Sequence, residues 1–342
     1  MKRMTTRLLA GAAALTGIGT VSAAADELVY YCSAQIEWCQ LMSEAFERET
    51  GIRVAMTRKS SGETYAQIKA EAANPRGDVW WGGTGDPHLQ AAEEGLTEVY
   101  QSPLLEELHD WAVQQAEQSG FRTVGIYAGA LGFGYNSELF EQRGWEPPSC
   151  WADLTRPEFR DEISVANPNS SGTAYTALAT FVQIMGEDEA FAFLADLHQN
   201  IAQYTLSGSA PIRDAARGEV AIGIVFLHDA VTQAVEGFPI VPVAPCEGTG
   251  YEIGSMSIIQ GGPNPDAARQ FYDFALRADI QARAVEVKAY QVPSNRAAEA
   301  PPEAPDFDTI KLIDYDFARF GSSDERTRLL ARWDAEIGSL AR

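Results

Sequence analysis

Short turns rich in hydroxyl groups and glycine recur along this sequence, and residues of that kind are suited to holding an anion. Ser60-Ser61-Gly62-Glu63 stands where an extended run gives way to a helical one, with Ser61 placed to cap the helix. A helix start presents orphan N–H groups and the positive end of the macrodipole, both of which attract negative charge. Asn169-Ser170-Ser171-Gly172-Thr173 repeats the arrangement, and two such starts facing each other would clamp a phosphate or carboxylate. Thr205-Leu206-Ser207-Gly208-Ser209 is a third turn of this type. Each also has an ordinary structural use as a helix cap. His228-Asp229, directly after the apolar run Val220–Phe226, and Glu252, in a later extended stretch, carry a different chemistry. Imidazole and carboxylate groups exchange hydrogen bonds with hydroxyls. Their structural alternatives are a core histidine and a salt bridge at a hinge.

Serine, histidine and aspartate together also invite a hydrolase reading. The sequence has no G-x-S-x-G elbow. It also lacks H-E-x-x-H, a phosphate-binding G-x-x-x-x-G-K-[ST], and a G-x-G-x-x-G opening a helix after a strand. A binding protein is therefore expected, with no catalytic residue, no cofactor and no metal.

The elements that must position these residues follow from hydrophobic periodicity. Glu27–Cys32, Ile52–Met56 and Asp78–Trp81 read as strands separated by helices at Ile36–Glu49 and Glu63–Ala73, the β-α-β-α-β order of a mostly parallel sheet covered on both faces. Each strand exits into a polar turn: Cys32-Ser33-Ala34, Lys59-Ser60-Ser61-Gly62, and Gly82-Gly83-Thr84-Gly85-Asp86. Ligands of open α/β sheets bind outside the carboxyl ends of the strands, which makes Ser33, Thr84, Gly85 and Asp86 candidates as well. Val124–Tyr135 reads as a crossover into a second α/β lobe and Gly250–Ile259 as the return. The expected fold is α/β, two doubly wound lobes joined by a hinge. Residues 26–125 and 256–342 would form the first lobe and 126–255 the second.

Met1-Lys2-Arg3, an apolar run to Val21 and Ser22-Ala23-Ala24-Ala25 have the form of a cleaved signal peptide over residues 1–25, which predicts export to the periplasm. Removing it takes the formal charge from −22 to about −25. Nucleic acid and anionic membrane surfaces are poor partners for such a field. Four cysteines in an exported chain point to disulfides. Of the three possible connectivities, Cys32 with Cys39 and Cys150 with Cys246 is preferred, because no second Cys or His stands at zinc spacing beside the first pair.

With these residues in place, the chain resembles the type II periplasmic binding proteins of ABC importers, in the branch of ferric-iron transporter components. The resemblance runs through Ala45-Phe46-Glu47-Arg48-Glu49-Thr50-Gly51-Ile52, Asn74-Pro75-Arg76-Gly77-Asp78-Val79-Trp80-Trp81 and Ala92-Glu93-Glu94-Gly95-Leu96. Iron binders of the branch carry adjacent tyrosines where this chain has Leu227-His228-Asp229. Within the branch it is most similar to the hexose-phosphate-binding subgroup. That implies a small anionic solute, with His228, Asp229 and Glu252 on a sugar and Ser33, Ser61, Thr84, Ser171 and Thr173 near its phosphate, in a monomer that docks on permease subunits in the inner membrane. Ferric iron is the alternative cargo.

Overall fold

The computed structural model describes residues 27–341, so the expected signal peptide lies outside the described residues. Nine strands form the frame: β1 (Glu27–Cys32), β2 (Arg53–Arg58), β3 (Val79–Thr84), β4 (Val124–Asn136), β5 (Ile163–Ala166), β6 (Ile201–Thr205), β7 (Ile222–Phe226), β8 (Ile240–Val243) and β9 (Tyr251–Ile258). Their hydrogen-bonded order is β2-β1-β3-β9-β4-β7-β5-β6, with β8 and the short Val292–Pro293 segment also paired to β4. Parallel pairing of β1 with β2 and β3, and of β5 with β6 and β7, requires helical crossovers, and these cover both faces. Among the described residues no helix is long and apolar enough to cross a membrane.

The helix Ile36–Thr50 shows how the first lobe assembles. Trp38, Cys39, Met42, Ala45 and Phe46 recur at helical spacing, so they form one buried stripe. They join β1, β3 and Phe271 in a first apolar core, where Phe46 meets Phe271 edge-on at 5.2 Å. A second core gathers Leu131, Phe133, Trp151, Phe181 and Phe226.

β4 and β9 belong to both halves. Val124–Ala130 of β4 pairs with β9, and Leu131–Tyr135 of the same strand pairs with β7. Gly129 lies opposite Glu252 in this ladder, so the two crossing strands support each other where the chain changes lobes.

The C-terminal segment departs from the expected division. The expected division places residues 256–342 whole in the first lobe, yet Tyr315, Phe320, Leu329, Trp333 and Ile337 lie in the second core. The helix Ser323–Trp333 is amphipathic and buries Arg326, Leu329 and Trp333. Trp333 packs edge-on against Tyr204, and Arg328 and Arg332 both pair with Glu187 of the second lobe. Its amino end reaches back to the first lobe, where the Ser323 amide donates to the Glu93 carboxylate at 2.7 Å.

Both expected disulfides are present, Cys32–Cys39 and Cys150–Cys246. The second closes 96 residues of sequence, worth about 4–5 kcal/mol in chain entropy, whereas the seven-residue closure contributes about 2–3 kcal/mol. The shorter bond acts locally: it ties the end of β1 to the first turn of the next helix and fixes Ser33, Ala34 and Gln35 between its cysteines.

Candidate functional site

Four helices of nine or more residues start beside one cavity: Ser61–Ala70, Gly85–Glu93, Gly172–Met185 and Leu227–Val235. Each follows directly, or through a short turn, from the carboxyl end of a strand. Ser60 caps the first through a reciprocal capping box with Glu63, which corrects the expectation that Ser61 is the cap. Ser61 is instead the first helical residue and turns its hydroxyl toward the Thr84 amide, 3.3 Å away. The stretch Gly82–Asp86, read as a turn, is the end of β3 followed at once by a helix. Gly83 makes this possible: its φ is +82°, and a Cβ there would meet Ser61 Oγ at 2.2 Å.

The cavity between the two lobes measures about 400 Å³, counted out to its open mouth. It brings together Ser33, Ser61, Thr84, Ser171, Gly172, Thr173, His228, Asp229 and Glu252 of the predicted residues. Gly62, Gly85 and Asp86 do not line it. The Gly62 amide is spent on the Ser170 carbonyl across the lobe interface at 3.0 Å, and Gly85 is packed against the Ile253 carbonyl and Gln115. Asp86 is buried behind the cavity near Arg326, where burial lifts its carboxyl to about 6 against the pull of that guanidinium.

Hydroxyl-bearing residues and helix starts line one part of the wall. The Ser33 hydroxyl is held by Trp80 Nε1 at 2.9 Å and Thr64 Oγ1 at 3.0 Å. Among the described residues no partner reaches Thr84 Oγ1. A dianion placed there would face the starts of three helices, where each N–H group still free to donate would make a charge-assisted bond of about 1.5–3 kcal/mol.

Histidine and carboxylates line another part. His228 Nε2 lies 3.8 Å from Asp229 Oδ2 and 3.9 Å from Glu252 Oε1, beyond hydrogen-bond length. Burial depresses the imidazole's pKa, with Asp229 opposing, so the ring is neutral at pH 7. Burial, then Asp229 and Asp86, push Glu252 well above the usual carboxylate range. A carboxyl kept neutral both donates and accepts, which suits a hydroxyl. Among the described residues His228 Nδ1 has no partner.

Sequence reasoning missed Gln35, Tyr127, Phe226 and Gln291 in the lining, whereas Ser60, Gly83, Gly208 and Ser209 belong to turns it singled out. Arg58, at the end of β2, is also there; its Nε donates to the Ala34 carbonyl and its Nη2 to Ser207 Oγ. Arg58 stands at a strand end, the position from which a side chain reaches the cavity, whereas Tyr127 sits mid-strand and Gln291 in an irregular segment, and neither carries a local pattern. The lobes touch directly around the cavity, through Ser60 Oγ to the Leu206 carbonyl and Gln35 Nε2 to Asp229 Oδ1, at 2.9 and 2.8 Å.

Two doubly wound lobes, two crossing strands and a polar cavity between them define a type II periplasmic binding protein fold, and the chain belongs to the bacterial extracellular solute-binding protein family, matched over residues 84–320. Proteins of this kind carry solutes and do not transform them. An uncharacterized protein of Haemophilus influenzae is 44% identical over 336 residues, 98% of this chain and 96% of that one. The periplasmic binding protein AfuA from Actinobacillus pleuropneumoniae, solved with exogenous fructose-6-phosphate bound, is 46% identical with a TM-score of 0.90, covering 92% of this chain and 99% of that chain. The periplasmic binding protein P5PA is 38% identical with a TM-score of 0.88, covering 91% and 99%.

Proposed function

We propose that this chain captures a phosphorylated sugar, a hexose phosphate or a similar organophosphate, in the periplasm and delivers it to the permease of an ABC importer. The observation that carries the reading is the two chemistries of one cavity: three helix starts with Ser61, Thr84 and Ser171–Thr173 on one part of its wall, and His228, Asp229 and Glu252 on another. A phosphate suits the first and sugar hydroxyls suit the second. The fructose-6-phosphate bound to AfuA, a relative at 46% identity, supports the same assignment.

Ferric iron fits less well. Fe(III) favours hard anionic oxygen, and the only phenol in the described lining, Tyr127, accepts the Gly83 amide while burial and Glu252 push its pKa far up. The adjacent Tyr30 and Tyr31 are committed elsewhere: Tyr30 is in the first core, and Tyr31 Oη donates to Glu71.

Thermal unfolding with and without a hexose 6-phosphate tests the assignment. The wild-type transition should rise by several degrees, and Asp229→Ala should cut the affinity about 10- to 100-fold by leaving sugar hydroxyls unpaired. Turnover of the ester, or a response that ignores Asp229, would contradict it.

A further inference from the structure

Beside the ligand cavity lies a second chamber, open to solvent and of about 550 Å³ counted out to its mouth, lined from the first lobe by Gln35, Glu37 and Lys288 and from the second by Arg213, Asp229 and Gln233, among others. Gln35, Ser209 and Asp229 line both spaces. What stands between the two includes a single hydrogen bond from Gln35 Nε2 to Asp229 Oδ1, 2.8 Å long.

Gln35 is held in place from several directions. Its backbone is the N-cap of the helix Ile36–Thr50, and it lies inside the Cys32–Cys39 loop. Its Oε1 accepts from Gln291 Nε2 at 3.2 Å while its Nε2 donates to Asp229, so both ends of the amide are engaged and its orientation is set. The Gln291 side-chain oxygen Oε1 is buried without a partner among the described residues. A side chain fixed this way closes the cavity as a wall does.

We propose that Gln35 is the specificity-determining gate of this site, limiting the solute to one sugar ring by closing the passage to the second chamber. The inference rests on the sugar-phosphate reading and deepens it. With the phosphate at the helix starts, the sugar runs toward Asp229, and anything attached to its far end meets Gln35. The second chamber, with Glu37, Gln233, Thr232 and Arg213 in its wall, has the mixture of donors and acceptors that a further neutral ring would need. Removing the gate should therefore admit a phosphorylated disaccharide that the intact protein excludes.

Calorimetric titration of the mature chain with glucose 6-phosphate and with trehalose 6-phosphate tests this, using wild type, Gln35→Ala and Gln35→Leu. Wild type should favour the single-ring ester by about 100-fold or more, and Gln35→Ala should shrink that ratio to roughly tenfold or less by weakening the first and strengthening the second. Gln35→Leu, which fills the passage without the hydrogen bonds, should keep most of the discrimination. An unchanged ratio in Gln35→Ala, with both affinities moved together or neither moved, would overturn the gate and leave the sugar-phosphate reading standing. No binding of either ester by wild type would overturn both. Circular dichroism melts of each variant separate loss of fold from loss of selectivity.

Discussion

His88 shows how far one residue's chemistry can depend on its surroundings. It is fully buried, stacked on Trp80 at 3.5 Å between ring centres, with Nδ1 against Ser257 Oγ and Nε2 against the Gly82 carbonyl. Burial drives its pKa down to about 3 from an ordinary 6.5. Because the folded pKa is depressed, the neutral ring's contribution is fully present above pH 6.5 and is lost as pH falls from there toward 3. His88→Gln should therefore flatten acid denaturation: between pH 7 and 5 its stability deficit relative to wild type should narrow by about 2 kcal/mol, read from urea melts. A deficit that stays constant with pH would show that the ring does not resist protonation. Asp86 acts in the opposite sense over part of the same range, since its raised carboxyl favours folding as pH falls through 6, so only the difference between the two proteins isolates His88. At this scale the sequence was readable where a residue's position on its element revealed its direction. His228 and Asp229 follow a run of buried apolar residues, and the strand end places them at the cavity. Gln35 and Gln291 could not be found that way, because their partners lie 194 and 256 residues away in sequence.

Among the elements, strands and long helices were the most legible. The expected strand Glu27–Cys32 has its predicted limits and the helix expected over Ile36–Glu49 ends one residue later at Thr50, since apolar periodicity and the glycine at position 51 fix them. The helix Gly85–Glu93 was hidden because Gly82-Gly83-Thr84-Gly85 has the composition of a turn, although the backbone uses the glycines for close approach and begins a helix within them. β6 and β8 were also missed; each is short and half-exposed, with little alternation to detect. Gly62 illustrates the same limit. The sequence places it among the ligand contacts, but its amide bonds to Ser170 across the interface, and a Cβ at this position would lie 2.4 Å from the Asn169 carbonyl oxygen. Gly62→Ala should consequently hold the lobes apart without disturbing either core. Its melting temperature should change little, its affinity for a hexose phosphate should fall about tenfold or more, and small-angle scattering should show less compaction on adding ligand. A variant that binds and compacts as wild type does would place the closing contact elsewhere.

For the whole molecule, the formal charge is −22 over the full chain, while the proposed solute is itself an anion. Long-range attraction cannot explain capture under those conditions. The fold offers a local solution, because the helix starts and Arg58 act at contact distance in a cleft between the lobes, while most carboxylates face solvent and are screened within about 8–10 Å at physiological salt. Burial, with Asp229 and Asp86 nearby, also raises the Glu252 carboxyl well above the usual carboxylate range, which works against a full negative charge beside the solute. The C-terminal helix Ser323–Trp333, packed on the second core and bonded at its amino end to the first lobe, links the two bodies at a point away from the two crossing strands. Closure by rotation about β4 and β9 would have to accommodate that third connection. The most direct measurement is calorimetric titration of ligand-stripped protein with a hexose 6-phosphate, the free hexose, inorganic phosphate and Fe(III) in turn. Micromolar or tighter binding of the ester, with the free hexose and inorganic phosphate each weaker by 100-fold or more, is the expected result, since only the ester satisfies both chemistries of the cavity wall at about 2.7 kcal/mol or more over either part. Equal affinity for the free hexose, or tight Fe(III) binding with none for the ester, would contradict it.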